Sequence, residues 1–329
     1  MNPPAMSFAS TTDATRNPTV AATGLLFPEG PVALDDGSVL VTEIGAGRLS
    51  LVHPDGSVST VADTGGGPNG AAIGPDGLCY VCNNGGFTWK VEADGQRHPV
   101  GRAADYVGGR IERVNLRTGR VERLYERVGD KPLSGPNDIV FDAHGGFWFT
   151  DLGHMGPDSI ERGRICYART DGSLVREVVF PLLTPNGIGL SPDGRTLYVA
   201  ETVTARLWAF EVRAPGELVL QAMPPFLSPG RLLYAPSHCC LFDSLAVEAN
   251  GNICVATIGI AGETRLGGAG VTVISPEGAL VDFVPMPDRA TTNLCFGGPD
   301  RRTAWVTQSR TGRLLKLAWP REGLRLNAG

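Results

Sequence analysis

The sequence predicts an all-β fold, a six-bladed β-propeller closed by pairing of its N- and C-terminal strands, and three observations carry that expectation. A short phrase recurs six times along the 329 residues: a polar residue, a few small or apolar ones, a turn, then a β-branched or aromatic run. The turns draw on 44 glycines and 25 prolines, while aromatic residues make up 7% and charged residues 19%, a composition suited to short strands rather than long solvated helices. Strand-like stretches also flank the repeats near both ends, as a closed radial array requires to hide its open edge.

Taken in order, residues 1–18 read as a loose tail and 19–329 as a single propeller domain. Thr19 to Phe27 (TVAATGLLF) is the N-terminal strand, expected to complete the last blade beside Arg313 to Trp319 (RLLKLAW). The repeats then open at Glu29, Asn69, Asn137, Asn186, Asp243 and Asn293. The fullest copy is Thr184 to Thr202, where Pro185-Asn186-Gly187 reads as a turn, Ile188 and Leu190 as a short strand, Ser191-Pro192-Asp193-Gly194 as a second turn and Thr196 to Ala200 as the return strand. Later strands such as Gly47 to Val52, Ala205 to Val212 and Gly270 to Ser275 bring each repeat to about four, the unit of a blade. Equivalent positions of a closed array face one place, so the six entrance residues should converge on the axis. The spacing is uneven, and the excess falls in 83–109 and 223–242, which read as irregular lids or binding loops. Phe87, Trp89, Tyr106, Phe226, Leu233, Tyr234 and His238 are their candidate pocket walls, with an exposed insertion or an oligomer contact as the plainer alternative.

Several function classes are excluded. A net charge of −5 without a basic cluster gives nucleic acid no surface. The first twenty residues lack a charged n-region and an apolar core, and no run approaches a membrane span, so a soluble, cytoplasmic chain is expected. The seven cysteines have no framework spacing and read as buried reduced thiols; Cys79 and Cys82 lie three apart in a strand, on opposite faces, and cannot share a metal. There is no GxSxG, no phosphate loop and no HExxH, Gly267-Gly268-Ala269-Gly270 is a weak glycine cluster, and the five histidines are dispersed.

Each entrance residue alone is a common turn residue, but the set includes two carboxylates, Glu29 and Asp243. Two anions near one axis are costly unless a cation compensates. Oxygen donors of this kind suit one divalent ion, calcium first, with magnesium, manganese or zinc as alternatives. Such an ion would allow hydrolysis of a lactone without a serine or cysteine nucleophile.

These residues resemble the SMP-30/gluconolactonase/luciferin-regenerating-enzyme family over about residues 24–319, with anchors at Phe27-Pro28-Glu29-Gly30-Pro31, Gly135-Pro136-Asn137-Asp138, Pro185-Asn186-Gly187-Ile188 and Asp243-Ser244-Leu245-Ala246-Val247. The resemblance implies a six-bladed propeller with a metal held by Glu29, Asn186 and Asp243, with Asn137 as fourth ligand or substrate contact, and with Asp243 doubling as the acid/base group. Asp243 and Glu29 are thus the expected catalytic residues. One departure bears on substrate: where sugar lactonases often carry an arginine two residues before the asparagine, this chain has Gly135. That argues for a less polar substrate, and Asn69, His154 and Met155 join Asn137 as candidate substrate contacts. His154 could equally be a loop residue bonded to a backbone carbonyl, and Asn69 and Asn293 could merely finish their turns. The expected activity is a metal-dependent lactonase acting on a small-molecule lactone. A lyase, hydratase or isomerase on a related ring, or a non-catalytic metal- or partner-binding propeller, are the alternatives.

Overall fold

The computed structural model describes residues 17–156, 158–224, 227–260 and 268–326, and among them the regular elements are all strands. The chain enters on β1 (Thr19–Thr23). Blade 1 follows as β2 (Pro28–Ala33), β3 (Val39–Glu43), β4 (Arg48–Val52) and β5 (Val58–Asp63). Blade 2 is β6 (Pro68–Ile73), β7 (Cys79–Asn83), β10 (Arg110–Val114) and β11 (Val121–Tyr125), with the separate hairpin β8 (Phe87–Val91) and β9 (Arg97–Arg102) inserted between its second and third strands. A two-residue ladder, β12 (Arg127–Val128) with β13 (Lys131–Pro132), leads to blade 3, which is β14 (Pro136–Phe141), β15 (Gly146–Asp151), β16 (Gly163–Arg169) and β17 (Val175–Leu182). Blade 4 is β18 (Pro185–Leu190), β19 (Thr196–Glu201), β20 (Arg206–Ala214) and β21 (Glu217–Val219), and β22 (Arg231–Tyr234) gives β20 a third partner. Blade 5 is β23 (Cys240–Val247), β24 (Ile253–Gly259), β25 (Gly270–Ile274) and β26 (Leu280–Pro285). Blade 6 is β27 (Thr291–Gly297), β28 (Thr303–Gln308) and β29 (Arg313–Ala318), and β1 supplies its outer strand, Thr19 opposite Lys316 and Thr23 opposite Arg313. The expected closure therefore holds. The closing strand stops at Thr23, short of Phe27, because Gly24 (φ 79°) and Phe27 (φ 56°) leave the extended region.

The apolar core lies between blades. Strand side chains alternate, so one face of each blade packs against each neighbour. Phe147 and Phe149 of β15 join Tyr80 and Ile111 of blade 2, whereas Trp148 turns the other way to meet Leu197, Val199 and Phe210 of blade 4. Cys79 and Cys82 do likewise, one in the cluster with Leu40 and Leu49 and the other in that with Phe147, which bears out their opposite orientation. Burial on both faces is why runs such as Leu197-Tyr198-Val199-Ala200 are apolar throughout rather than alternating.

Two readings of the sequence need correction. The stretches 83–109 and 223–242 are not wholly irregular. Phe87-Thr88-Trp89-Lys90-Val91, with Gly95 at φ 82° in the following turn, alternates as a hairpin strand does, and β8 and β9 form. In the later stretch Leu233 is a buried core residue and Tyr234 stacks on Phe242 at 6.3 Å, so these two are packing residues and not pocket walls. Phe226 and Gly267 lie outside the described residues, as do residues 1–16 of the expected tail.

The second correction places the entrance residues. Pro185-Asn186-Gly187 is no turn ahead of a strand; it is part of β18, where Pro185 faces Glu201 but Ile188 faces Val199, so one extra residue is accommodated as a bulge. The same irregularity recurs in each inner strand, at Glu29/Val32, Pro68/Ala71, Pro136/Ile139, Phe242/Leu245 and Thr291/Asn293. A bulge re-aims a side chain, and here it stands beside the entrance polar residue of every blade. The inner strands also approach closely. A Cβ on Gly187 would lie 2.7 Å from the Leu245 nitrogen and 2.8 Å from the Asp243 carbonyl oxygen. Gly187→Ala should therefore cost about 1–3 kcal/mol, as overpacking does. Thermal denaturation checks this, and an unchanged Tm would contradict so close an approach.

Candidate metal and active site

Five of the entrance residues, Glu29, Asn69, Asn137, Asn186 and Asn293, are buried, and Asp243 keeps partial exposure. All stand near the start of an inner strand and hence at one end of the central channel. Their surroundings are cross-stitched between blades. Thr42 donates to the Asn69 carbonyl at 2.5 Å, Thr150 to the Asn186 carbonyl at 2.6 Å, and Ser309 to the Pro28 carbonyl at 2.6 Å. Each such bond ties the end of one blade's second strand to the entrance of another blade. Phe27 (φ 56°) and Thr184 (φ 50°) adopt the left-handed region two residues before Glu29 and Asn186. For a β-branched residue that conformation is costly; here the Thr184 hydroxyl accepts from the Val203 amide at 3.1 Å and its carbonyl from the Thr202 amide at 3.0 Å.

Individual side chains take different parts. Glu29 Oε2 accepts from its neighbour Gly30 N at 3.0 Å and from Asn293 Nδ2 at 2.9 Å, and Thr292 also bonds to this carboxylate. Asn293 Oδ1 accepts from Leu294 N at 2.7 Å. Both ends of that amide are engaged, and its nitrogen positions Glu29. Asn186 Nδ2 donates to Thr202 at 3.0 Å, Ser244 bonds its Oδ1 at 3.4 Å, and its side chain bonds to Asp243. Asn137 differs from all of these: its Oδ1 is buried and has no hydrogen-bond partner. A buried carbonyl oxygen left without a donor is uncommon, and it suits an atom reserved for a cation or a substrate. Asn69 is buried at the same level.

Electrostatics agree with a cation site. Burial raises Glu29 above the ordinary carboxylate range against the opposing bonds from Thr292, Asn293 and Gly30. Asp243 is pushed well above that range by burial and then by the Glu29 charge. A third acid, Asp138, is buried in the same channel, bonded to Ser244, and pushed up to about 7, chiefly by burial. Oxygen donors from two carboxylates and at least one unpartnered amide fit a hard divalent ion. No three His, Cys, Asp or Glu side chains group as a metal site among the described residues.

Asp138 and Asn293 extend the site beyond the sequence reading, Asp138 as a third axial acid and Asn293 as the support of Glu29. Asp151 also matters: it accepts from Ser134 N at 3.1 Å and Gly135 N at 2.6 Å and so fixes the approach to Asn137. The signal was present in the terminal acid of Phe149-Thr150-Asp151, but it points at backbone, which sequence does not display. His154 is buried, its Nε2 is 3.1 Å from the Ser134 carbonyl, and burial lowers its pKa. That matches the carbonyl-bonded alternative. Met155 is 44% exposed and bridges to Ile160, away from the ring of entrance residues in its bonding. His238 is half-buried with Nδ1 unpartnered. At the opposite end the channel widens into a cavity of about 830 Å³, lined by later residues of the inner strands and by Leu324 to Leu326, with Asp138 and Asn293 in its wall.

The fold and this ring of residues define a β-propeller with an oxygen-donor site on its axis. A model of the SMP-30/gluconolactonase/LRE-like region matches residues 27–310, and the chain belongs to that family. Diisopropyl-fluorophosphatase from Loligo vulgaris is 26% identical over 246 residues, which cover 68% of this chain and 73% of the relative. Lactonase drp35 from Staphylococcus saprophyticus is 26% identical over 257 residues, covering 77% and 68%. Among solved structures, a gluconolactonase from Xanthomonas campestris superposes with a TM-score of 0.71 at 22% identity, covering 97% of this chain and 96% of that one. By name these sequence relatives are a fluorophosphatase and a lactonase. Among the described residues no helix is long and apolar enough to cross a membrane.

Proposed function

We propose that this chain is a divalent-metal-dependent lactonase, with Glu29, Asn137, Asn186 and Asp243 as metal ligands and calcium as the ion the oxygen donors favour. The observation that carries this reading is the buried, unpartnered Oδ1 of Asn137 in a ring that also holds Glu29 and Asp243. When bound, such an ion would polarise the lactone carbonyl and acidify a water. The side chains do the rest. A carboxylate oxygen of Asp243 takes the proton of the water that attacks the carbonyl carbon, and returns it to the ring oxygen as the C–O bond breaks. Asn186 holds Asp243 in place, while Asn293 and Gly30 N hold Glu29. Asn69, a buried entrance residue, is assigned as a substrate contact.

The test is a pH-indicator assay of purified, chelator-treated protein against a lactone panel, with calcium, manganese, magnesium and zinc restored separately. Proton release is expected to fall on chelation and to return with calcium. Absence of hydrolysis across the panel, despite calorimetrically measured metal binding, would overturn the reading in favour of a non-hydrolytic enzyme or a binding propeller.

A further inference from the structure

Among the described residues the hairpin β8–β9 has no counterpart in the other blades, and its side chains bear on the loops that carry the candidate ligands. Phe87 and Trp89 alternate onto one face, Thr88 and Lys90 onto the other. Trp89 packs on Phe27 at 4.9 Å between ring centroids, and Phe27 precedes Glu29 by two residues. Phe87 stands 5.8 Å from Trp89 and 6.1 Å from His154. Tyr106 meets His154 edge-on at 5.0 Å and donates to the Ser134 carbonyl at 2.7 Å, on the loop that leads to Asn137. Phe27, Phe87, Trp89 and Tyr106 all remain half-buried after this packing, so the wall they form still offers ring surface.

The guanidinium beside it is engaged. Arg102 of β9 lies over the Tyr106 ring at 4.9 Å, donates to Ser134 Oγ at 3.2 Å and pairs with Glu161. A guanidinium does reach the loop where Gly135 replaces the arginine of the sugar lactonases, but it arrives already bonded and neutralised. It cannot serve as a free bidentate clamp on hydroxyl groups. An aromatic face offers no hydrogen bond to the hydroxyls of a sugar ring that lie against it, and leaving them unpaired costs more than a missing apolar contact.

We propose that β8–β9 is a specificity wall, with Trp89 as its central residue, and that it selects ring esters presenting a flat aryl face over lactones that lack one. The proposal rests on the lactonase reading and deepens it. The test compares kcat/KM for dihydrocoumarin and δ-valerolactone, which share a six-membered ester ring and differ in the fused aryl ring. The wild-type chain, Trp89→Ala and Trp89→Phe are measured with metal restored. The preference for dihydrocoumarin is expected to fall about tenfold in Trp89→Ala, mainly through KM, and to recover in Trp89→Phe, a loss in keeping with one aromatic contact. An unchanged preference overturns the wall, including the case where Trp89→Ala instead dissociates a dimer in sedimentation.

If the wild-type chain opens neither lactone, the lactonase reading fails by itself. The wall is then judged by calorimetric binding of the ring-opened acids, 3-(2-hydroxyphenyl)propanoate against 5-hydroxypentanoate. An aryl preference that Trp89→Ala removes supports it, and equal binding of the two overturns it.

Discussion

Replacing Asp243 with alanine is expected to lower kcat/KM by about 10²- to 10⁴-fold, the range over which a positioned proton-transfer group acts. The expectation has a structural basis beyond the acid itself. Asp243 is the one entrance carboxylate that keeps partial exposure, and the Asn186 side chain bonds to it from the next inner strand. Glu29 by contrast is 3% exposed and tied down by Gly30 and Asn293. Glu29 is thus the more enclosed of the two residues, although burial raises the pKa of both carboxylates. Folding should survive the change, because truncation removes an acid whose own ionisation is disfavoured by burial. Kinetics together with a thermal melt decide the matter. Full activity in Asp243→Ala would sink the proposed mechanism.

The second large effect concerns metal and pH. Asp138 is held at about 7 in the folded chain, against an unfolded value near 3.8, and Glu29 and Asp243 are raised in the same direction. For an acid whose folded value is the higher one, the stabilising contribution is complete below the unfolded pKa and disappears as pH rises through the folded one. Chelator-treated protein should therefore lose stability between about pH 4 and pH 7, by on the order of 4 kcal/mol for Asp138 alone. Exposed acids with lowered values, such as Asp55 and Asp171, titrate below this window and do not offset it. A divalent ion competes with those protons, so calcium should raise Tm more at pH 8 than at pH 5.5. Melts in chelator and in calcium at the two pH values test this. A metal-free Tm that stays flat or climbs toward pH 8 would contradict it.

The blade count, the N-terminal closing strand and the axial set were legible because each rests on repetition, which sequence displays directly. Fine geometry was not legible. Pro185-Asn186-Gly187 has turn composition, and only the pairing of Pro185 with Glu201 and Ile188 with Val199 reveals a bulge within a strand. Asn293 and Asn137 occupy equivalent positions and read alike. Their difference lies in partners, Glu29 and Leu294 N for one and no donor for the Oδ1 of the other, and partners depend on neighbouring blades. Asp138 was overlooked because it follows the entrance residue, where three other blades place glycine as Gly30, Gly70 and Gly187. Phe87 and Trp89 were selected as wall residues, but the hairpin that presents them was taken for an irregular loop.

Closure through β1 also governs the order in which the molecule can be made. The Thr19 hydroxyl bonds to the Lys316 carbonyl across 297 positions of sequence. At roughly 5–20 residues per second, a growing chain spends about 15–60 s with its first strand emerged and its last strand unmade. Throughout that interval every nascent form is an open arc, whose blade 1 lacks its neighbour and whose Val41 face waits for Trp305 and Leu314. The set of entrance residues is likewise incomplete, since Asn293, which orients Glu29, is the last of its members to be synthesised. Under the proposed metal reading, an ion would find its complete donor set only once the circle shuts, and would act as a late lock on a finished ring rather than as a template for building it.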